Sequence, residues 1–246
     1  MPNHKDYFNH IHELLDNLLE KESDQIEKAV EVLYEATIKK NNLFVFGASH
    51  AGILAEELTY RAGGLATFNP IFESCMMLNT TPITHTSQME RLVGYGTLIA
   101  HKSPIKKDDV LIAHSVSGRN TVMIDFIQAL KKRGCKVIAI TNLTYSKNVD
   151  SRHPCGKKLY QLADLVIDNH GDKGDAAIKF DQLSQKVGPT STVIGTTIVN
   201  AIVVGLVEKL LAAGYEPPIL HSANLDEGDQ YNQKLFERFK HNIFYL

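Results

Sequence analysis

A chain of 246 residues, 43% hydrophobic and 22% charged, is long enough to bury a sizeable core and fits one large α/β domain. Its formal net charge is −2, with Lys and Arg scattered among Asp and Glu, which leaves no electrostatic footprint for nucleic acid. The N-terminal MPNHKDYFNHIHELLDN is no secretory signal, and three cysteines (Cys75, Cys135, Cys155) lack zinc-like pairing and form an odd count, so a reducing cytoplasm is expected.

Residues 3–40 read as two helices forming an N-terminal arm. Tyr7, Phe8, Ile11, Leu14, Leu15, Leu18 and Leu19 make one apolar stripe. The polar break Glu20 to Asp24 precedes a second, from Ile26 to Thr37. Packing on its own domain accounts for such an arm, but the stripe is wide, and we expect an oligomer contact, in a homodimer or homotetramer. His10 and His12 sit two apart and cannot share a helix face, so they make a poor metal pair.

Residues 41–246 follow as the main domain. Leu43 to Phe46 is a buried strand that ends in Gly47-Ala48-Ser49-His50-Ala51-Gly52, before a helical pattern. Asp109 to Asn142 repeats that module. An apolar strand, Val110 to Ala113, runs into Ser115-Val116-Ser117-Gly118. An amphipathic helix from Val122 then closes on Lys131, Lys132, Arg133 and Gly134, and Val137 to Ile140 is the next strand. A lone Gly/Ser loop is usually only a tight turn. Two at neighbouring strand ends argue for a shared anion pocket, because free N–H groups and the positive end of a helix dipole converge there. Neither loop reads G-x-G-x-x-G or G-x-x-x-x-G-K-[ST], which disfavours dinucleotide binding and P-loop NTPase chemistry.

Between the two modules, residues 71–105 read as irregular and long enough to carry function, with Glu73, His85, Glu90 and Arg91. Further on, Asp168 to Asp175 is an acidic turn that fits no EF-hand and is expected to be solvated. Thr190 is a plausible N-cap for an apolar helix from Val193 to Ala213. Asn200, Glu208 and Lys209 interrupt that run, which favours burial over a membrane span. A last amphipathic helix carries Tyr231, Leu235, Phe236 and Phe239.

Ser115-Val116-Ser117-Gly118-Arg119-Asn120-Thr121 is similar to the S-x-S-G phosphate loop of SIS (sugar isomerase) domains, with Asn120 where the family has a hydroxyl. Val137 to Asn142, Gly47-Ala48-Ser49 and Ser191-Thr192 resemble that family's closing strand, first loop and late helix start. The single-domain, phosphoheptose isomerase type is the nearest in pattern. The resemblance implies a three-layer αβα sandwich with a five-stranded parallel, flavodoxin-like sheet. It also implies a phosphorylated sugar at the strand C-termini, bound by Gly47, Ser49, His50, Ser115, Ser117, Gly118, Asn120, Ser191 and Thr192. Asn69 to Ser74 resembles the family's P-A-E segment, which makes Glu73 the first choice of base and His85 the second candidate, for ring opening or as a metal ligand. The family's H-G-D-L-G is absent, so neither metal nor cofactor is expected. The expected activity is aldose–ketose isomerisation; an etherase-type lyase and a non-catalytic phosphosugar sensor are the alternatives.

Overall fold

The computed structural model describes residues 2–246. Among the described residues, seven strands and eight α-helices follow in chain order: α1 His4–Ile38, β1 Leu43–Gly47, α2 Ile53–Leu58, β2 Phe68–Pro70, α3 Thr84–Met89, α4 Tyr95–Lys102, β3 Val110–His114, α5 Thr121–Lys132, β4 Lys136–Thr141, α6 Leu143–Lys147, β5 Leu165–Asp168, β6 Ala176–Ile178, β7 Val187–Pro189, α7 Ser191–Ala212 and α8 Gly228–Phe239. Five strands form one parallel sheet in the order β2-β1-β3-β4-β5, and β6 and β7 pair as a separate antiparallel hairpin.

Alternation along each strand divides the core into two layers, since successive side chains leave opposite faces. Leu43, Val45, Val110, Ile112, Ile138 and Ile140 face α1, α2 and α7. Phe44, Phe46, Leu111, Ala113, Val137 and Ala139 face α4 and α5. Helix α8 with Leu220 covers Ala66 beside the β2 edge, where Asn69 donates to the Asn242 carbonyl (2.9 Å) and accepts from the Phe244 N–H (2.7 Å).

The arm departs from expectation in two ways. Residues 4–38 form one continuous helix, started by a capping box in which Asn3 accepts from the Lys5 N–H and Asp6 accepts from the Asn3 N–H. The presumed break at Glu20–Asp24 holds a side chain with long-range partners. Glu22 is 8% exposed and accepts from the Asp168 N–H (3.2 Å) and bonds His170 Nε2 (3.0 Å). The helix is also part of the main core, because Leu14, Leu18, Val30 and Leu33 are buried against α7 and the sheet. Residues 71–105 are more ordered than read, for α3 and α4 lie within them. By length and composition α7 could cross a membrane. Its Ile194, Ile198, Ile202, Leu206 and Leu210 are nevertheless buried in this fold, as expected from its polar interruptions.

Candidate functional site

The order β2-β1-β3 reverses chain direction across the sheet, and in such folds ligands bind outside the strand C-termini at this switch point. Both Gly/Ser loops leave the sheet there, from β1 and β3. Between them lies a cavity of about 480 Å³, which the two loops line together with α3, Tyr145 and the turn at Gly174–Asp175. Of the expected phosphate ligands, Ser49, His50, Ser115, Ser117 and Asn120 line it.

The first loop is tight. A Cβ on Gly47 would lie 2.2 Å from the Ala51 carbonyl oxygen, so only glycine lets the backbone fold back on itself. Ser49 takes a left-handed conformation (φ 51°), a strained choice for serine beside a cavity. The second loop turns at Gly118 (φ 60°), whose N–H donates to Ser115 Oγ (3.2 Å). Thr141 Oγ1 donates to the carbonyls of Ser115 (2.7 Å) and Val116 (3.1 Å), tying the loop to β4. The Ser115 hydroxyl proton and the Ser117 hydroxyl remain available as donors.

Glu90, named in the sequence as one of four polar residues in the 71–105 segment but given no role, joins the loops. Its carboxylate accepts from Ser49 Oγ (2.6 Å) and from Asn120 Nδ2. Its carbonyl accepts from the Val122 N–H (3.2 Å) and Thr121 Oγ1 (3.1 Å), at the start of α5. Two expected phosphate donors therefore already hold a carboxylate.

At the α7 start the expected anion site is also filled. Thr190 does not cap with its side chain. Asp175 accepts instead from the Ser191 N–H (2.8 Å), the Thr190 N–H (3.1 Å) and Ser191 Oγ (2.7 Å). Neither Ser191 nor Thr192 lines the cavity. The acidic turn expected to be solvated thus supplies the cap, a carboxylate at the positive end of a helix dipole.

Glu73 and His85 stand apart. Glu73 is 6% exposed and outside the cavity lining; Tyr95 Oη donates to it (2.9 Å) and Lys102 Nζ lies 2.5 Å away. It staples its segment to α4, and with burial and Cys75 it pushes the Tyr95 phenol upward. His85 is half-buried on α3, again outside the lining.

His114 is a buried imidazole that the cavity does contain, beside Glu90, His50, Tyr145 and Asp175. It ends β3, is 1% exposed and lines the cavity. Its Nδ1 lies 3.0 Å from the Ala51 carbonyl, which can only accept, so that nitrogen carries the proton. Nε2 is buried without a protein partner, a bare lone pair in the neutral ring. Burial lowers the His114 pKa, partly offset by the Ala51 bond and the Asp175 charge. One signal was present in sequence: His114 is the sole titratable residue in an otherwise apolar strand, directly before the Ser-x-Ser-Gly loop. Among the described residues, no three His, Cys, Asp or Glu side chains gather as metal ligands.

Comparison with known proteins agrees with this architecture. A family model described as SIS domain matches residues 6–142. A UPF0309 protein of Shouchella clausii is 51% identical over 98% of both chains, and one of Oceanobacillus iheyensis is 49% identical, again over 98% of each. A phosphoheptose isomerase from Francisella tularensis shares the fold at 14% identity, with a TM-score of 0.53 over 82% of this chain and 95% of that one. With the domain match and these relatives, the chain belongs to the SIS domain family.

Proposed function

We propose that the cavity binds a phosphorylated sugar and interconverts its aldose and ketose forms. The observation that carries this reading is the pairing, in one cavity, of two serine hydroxyls with free donor protons just before a helix start with a buried imidazole lone pair. Ser115, Ser117 and the loop N–H groups hold the phosphate, with the α5 dipole behind them. His114 Nε2 takes the C2 proton of the open-chain aldose as the C1 carbonyl oxygen gains a proton from solvent water, which forms an enediol. The imidazolium then returns its proton to C1 while the C2 hydroxyl gives up its own to solvent water, leaving the ketose and no net change in protons. The step is redox-neutral and calls for no cofactor. Glu90 accepts hydrogen bonds from the loops and from sugar hydroxyls. A reducing compartment such as the cytoplasm suits the three unpaired thiols.

The test is calorimetry with hexose, heptose and aminosugar phosphates, alongside NMR for turnover. Ser115→Ala combined with Ser117→Ala should weaken binding by about 1–3 kcal/mol, the cost of losing hydrogen bonds to a charged group. Unchanged affinity would remove the phosphate cradle. Binding with no turnover across the panel would leave a sensor in place of an enzyme.

The enzyme is expected to be a homodimer or homotetramer. Much of the α1 stripe is spent on the core, but α7 leaves Val193, Val204 (68% exposed) and Leu211 uncovered, and Phe8 and Leu19 remain open on α1. These three positions fall on one side of α7, interspersed with Thr197, Asn200 and Ala201, a mixed face that a helix of a second copy can cover. Light scattering at micromolar concentration should give twice or four times the 27.4 kDa chain mass; a monomer mass contradicts the assignment.

A further inference from the structure

Three arginines gather at one edge of the cavity, and the phosphate cradle uses none of them. Arg119 follows Gly118 in the second loop and Arg91 follows Glu90. Arg152 approaches from the loop after α6: its backbone N–H donates to the Arg119 carbonyl (2.9 Å), and its Nη1 donates to Asn120 Oδ1 (2.7 Å). Asn120 itself lines the cavity, so the cluster sits one side chain back from the ligand space.

The cluster lacks counter-ions. Among the described residues, Arg91, Arg119 and Arg152 make no ion pair within 4.0 Å, whereas Arg61 and Arg238 both do. The Glu90 carboxylate offsets the charge of Arg152, but it already accepts from Ser49 and Asn120. Arg91 and Arg119 bear on Arg152 with like charge, which together with burial draws its pKa down. Arg119 Nε is buried with no hydrogen-bond partner. A buried guanidinium donor without an acceptor is costly, and so is a set of neighbouring cations facing one engaged carboxylate. An arriving oxyanion relieves both, since the planar donor fork of arginine matches carboxylate and phosphoryl oxygens in pairs.

We infer that the sugar phosphate carries a second oxyanion, a carboxylate or a second phosphoryl group, which Arg91, Arg119 and Arg152 hold at the cavity rim. The inference rests on the phosphosugar reading above and narrows it to sugars that carry two anionic groups. It also separates the two ends of the ligand. The Ser115–Ser117 loop takes one phosphate, and the arginines take the other anion.

The full-length chain would be titrated calorimetrically with glucose 6-phosphate, 6-phosphogluconate and fructose 1,6-bisphosphate. At least one of 6-phosphogluconate and fructose 1,6-bisphosphate should bind about 10-fold or more tightly than glucose 6-phosphate, with the difference shrinking as salt rises. Whichever compound is preferred identifies the carboxylate or the phosphoryl group as the second anion. In the Arg91→Gln/Arg152→Gln double variant, both altered residues being exposed, the preference should fall below about 3-fold while glucose 6-phosphate affinity stays within about 2-fold. Circular dichroism and a thermal melt on the same sample establish that the variant is folded. Equal affinities for all three compounds in the wild type would overturn the second-anion site and leave the phosphosugar reading intact. An equal loss for glucose 6-phosphate and for the compounds with two anionic groups in the variant would also overturn it, because the arginines would then belong to a single phosphate site. No binding of any compound would overturn both.

Discussion

Replacing His114 with Gln is expected to lower turnover of the sugar phosphate by about 10²–10⁴-fold, the usual contribution of a positioned general base. Substrate affinity should stay within about 3-fold, because the phosphate is held elsewhere. Glutamine preserves the size and a donor for the Ala51 carbonyl, which now bonds His114 Nδ1. It cannot supply the basic lone pair of Nε2, the atom left without a partner. The rival base is Glu90, which lines the same cavity. Glu90→Gln should slow the reaction much less than His114→Gln, and the reverse ranking would reassign the base. Acid titration gives a second readout. An unfolded imidazole titrates near pH 6.5, and burial holds the folded His114 below that value. Between the two pKa values the unfolded chain binds the extra proton, so stability rises with pH there. The contribution of neutral His114 is complete above about pH 6.5 and is lost as pH falls through its folded pKa. Thermal melts of the wild type should therefore drop more steeply on acidification than those of His114→Gln. Parallel profiles would mean that the imidazole is not buried neutral.

What could be read in advance follows from how local each feature is. The apolar runs at Leu43–Phe46, Val110–Ala113 and Val137–Ile140 are strands because both sheet faces are covered, and the loops after the first two are legible as glycine and serine between strand and helix. The pairing of those loops at the switch point follows from the fold class. Features that depend on distant partners were hidden. Glu22 looked like part of a helix break because its partners, Asp168 and His170, lie 146 and 148 residues away. Glu73 sits in a plausible local motif, yet Tyr95 and Lys102 turn it towards α4 and away from the cavity. Asp175 belongs to a turn rich in acids and looked solvated until α7 was placed beside it. Glu90 acquires its position only when two loops from different strands meet over it. The donors of the site were thus largely visible, while the carboxylates and the imidazole around them depended on tertiary structure.

Gly47→Ala is expected to damage folding and chemistry together. Its new methyl would lie 2.2 Å from the Ala51 oxygen, 2.4 Å from the Ala51 carbonyl carbon and 2.8 Å from the Gly52 nitrogen, all of them backbone atoms that no rotamer change can move aside. Overpacking of this kind costs about 1–3 kcal/mol and displaces backbone where it cannot be absorbed. The displaced segment is the one that carries Ser49 and His50 into the cavity and gives His114 its Ala51 acceptor. Denaturant melts should show a lower midpoint at an unchanged slope, and the variant that remains folded should bind sugar phosphate about 10-fold more weakly or worse. It should also share the turnover defect of His114→Gln, since losing the Ala51 carbonyl releases the imidazole from its tautomer. Gly52→Ala is the control in the same loop. Its methyl would come no closer than 3.2 Å to the Gly47 oxygen, a clash that a shift of a few tenths of an ångström relieves. If both substitutions cost the same, the close approach at Gly47 is not what shapes the loop. If Gly47→Ala alone abolishes turnover while Ser115 and Ser117 still hold the phosphate, the first loop serves the imidazole more than it serves the anion.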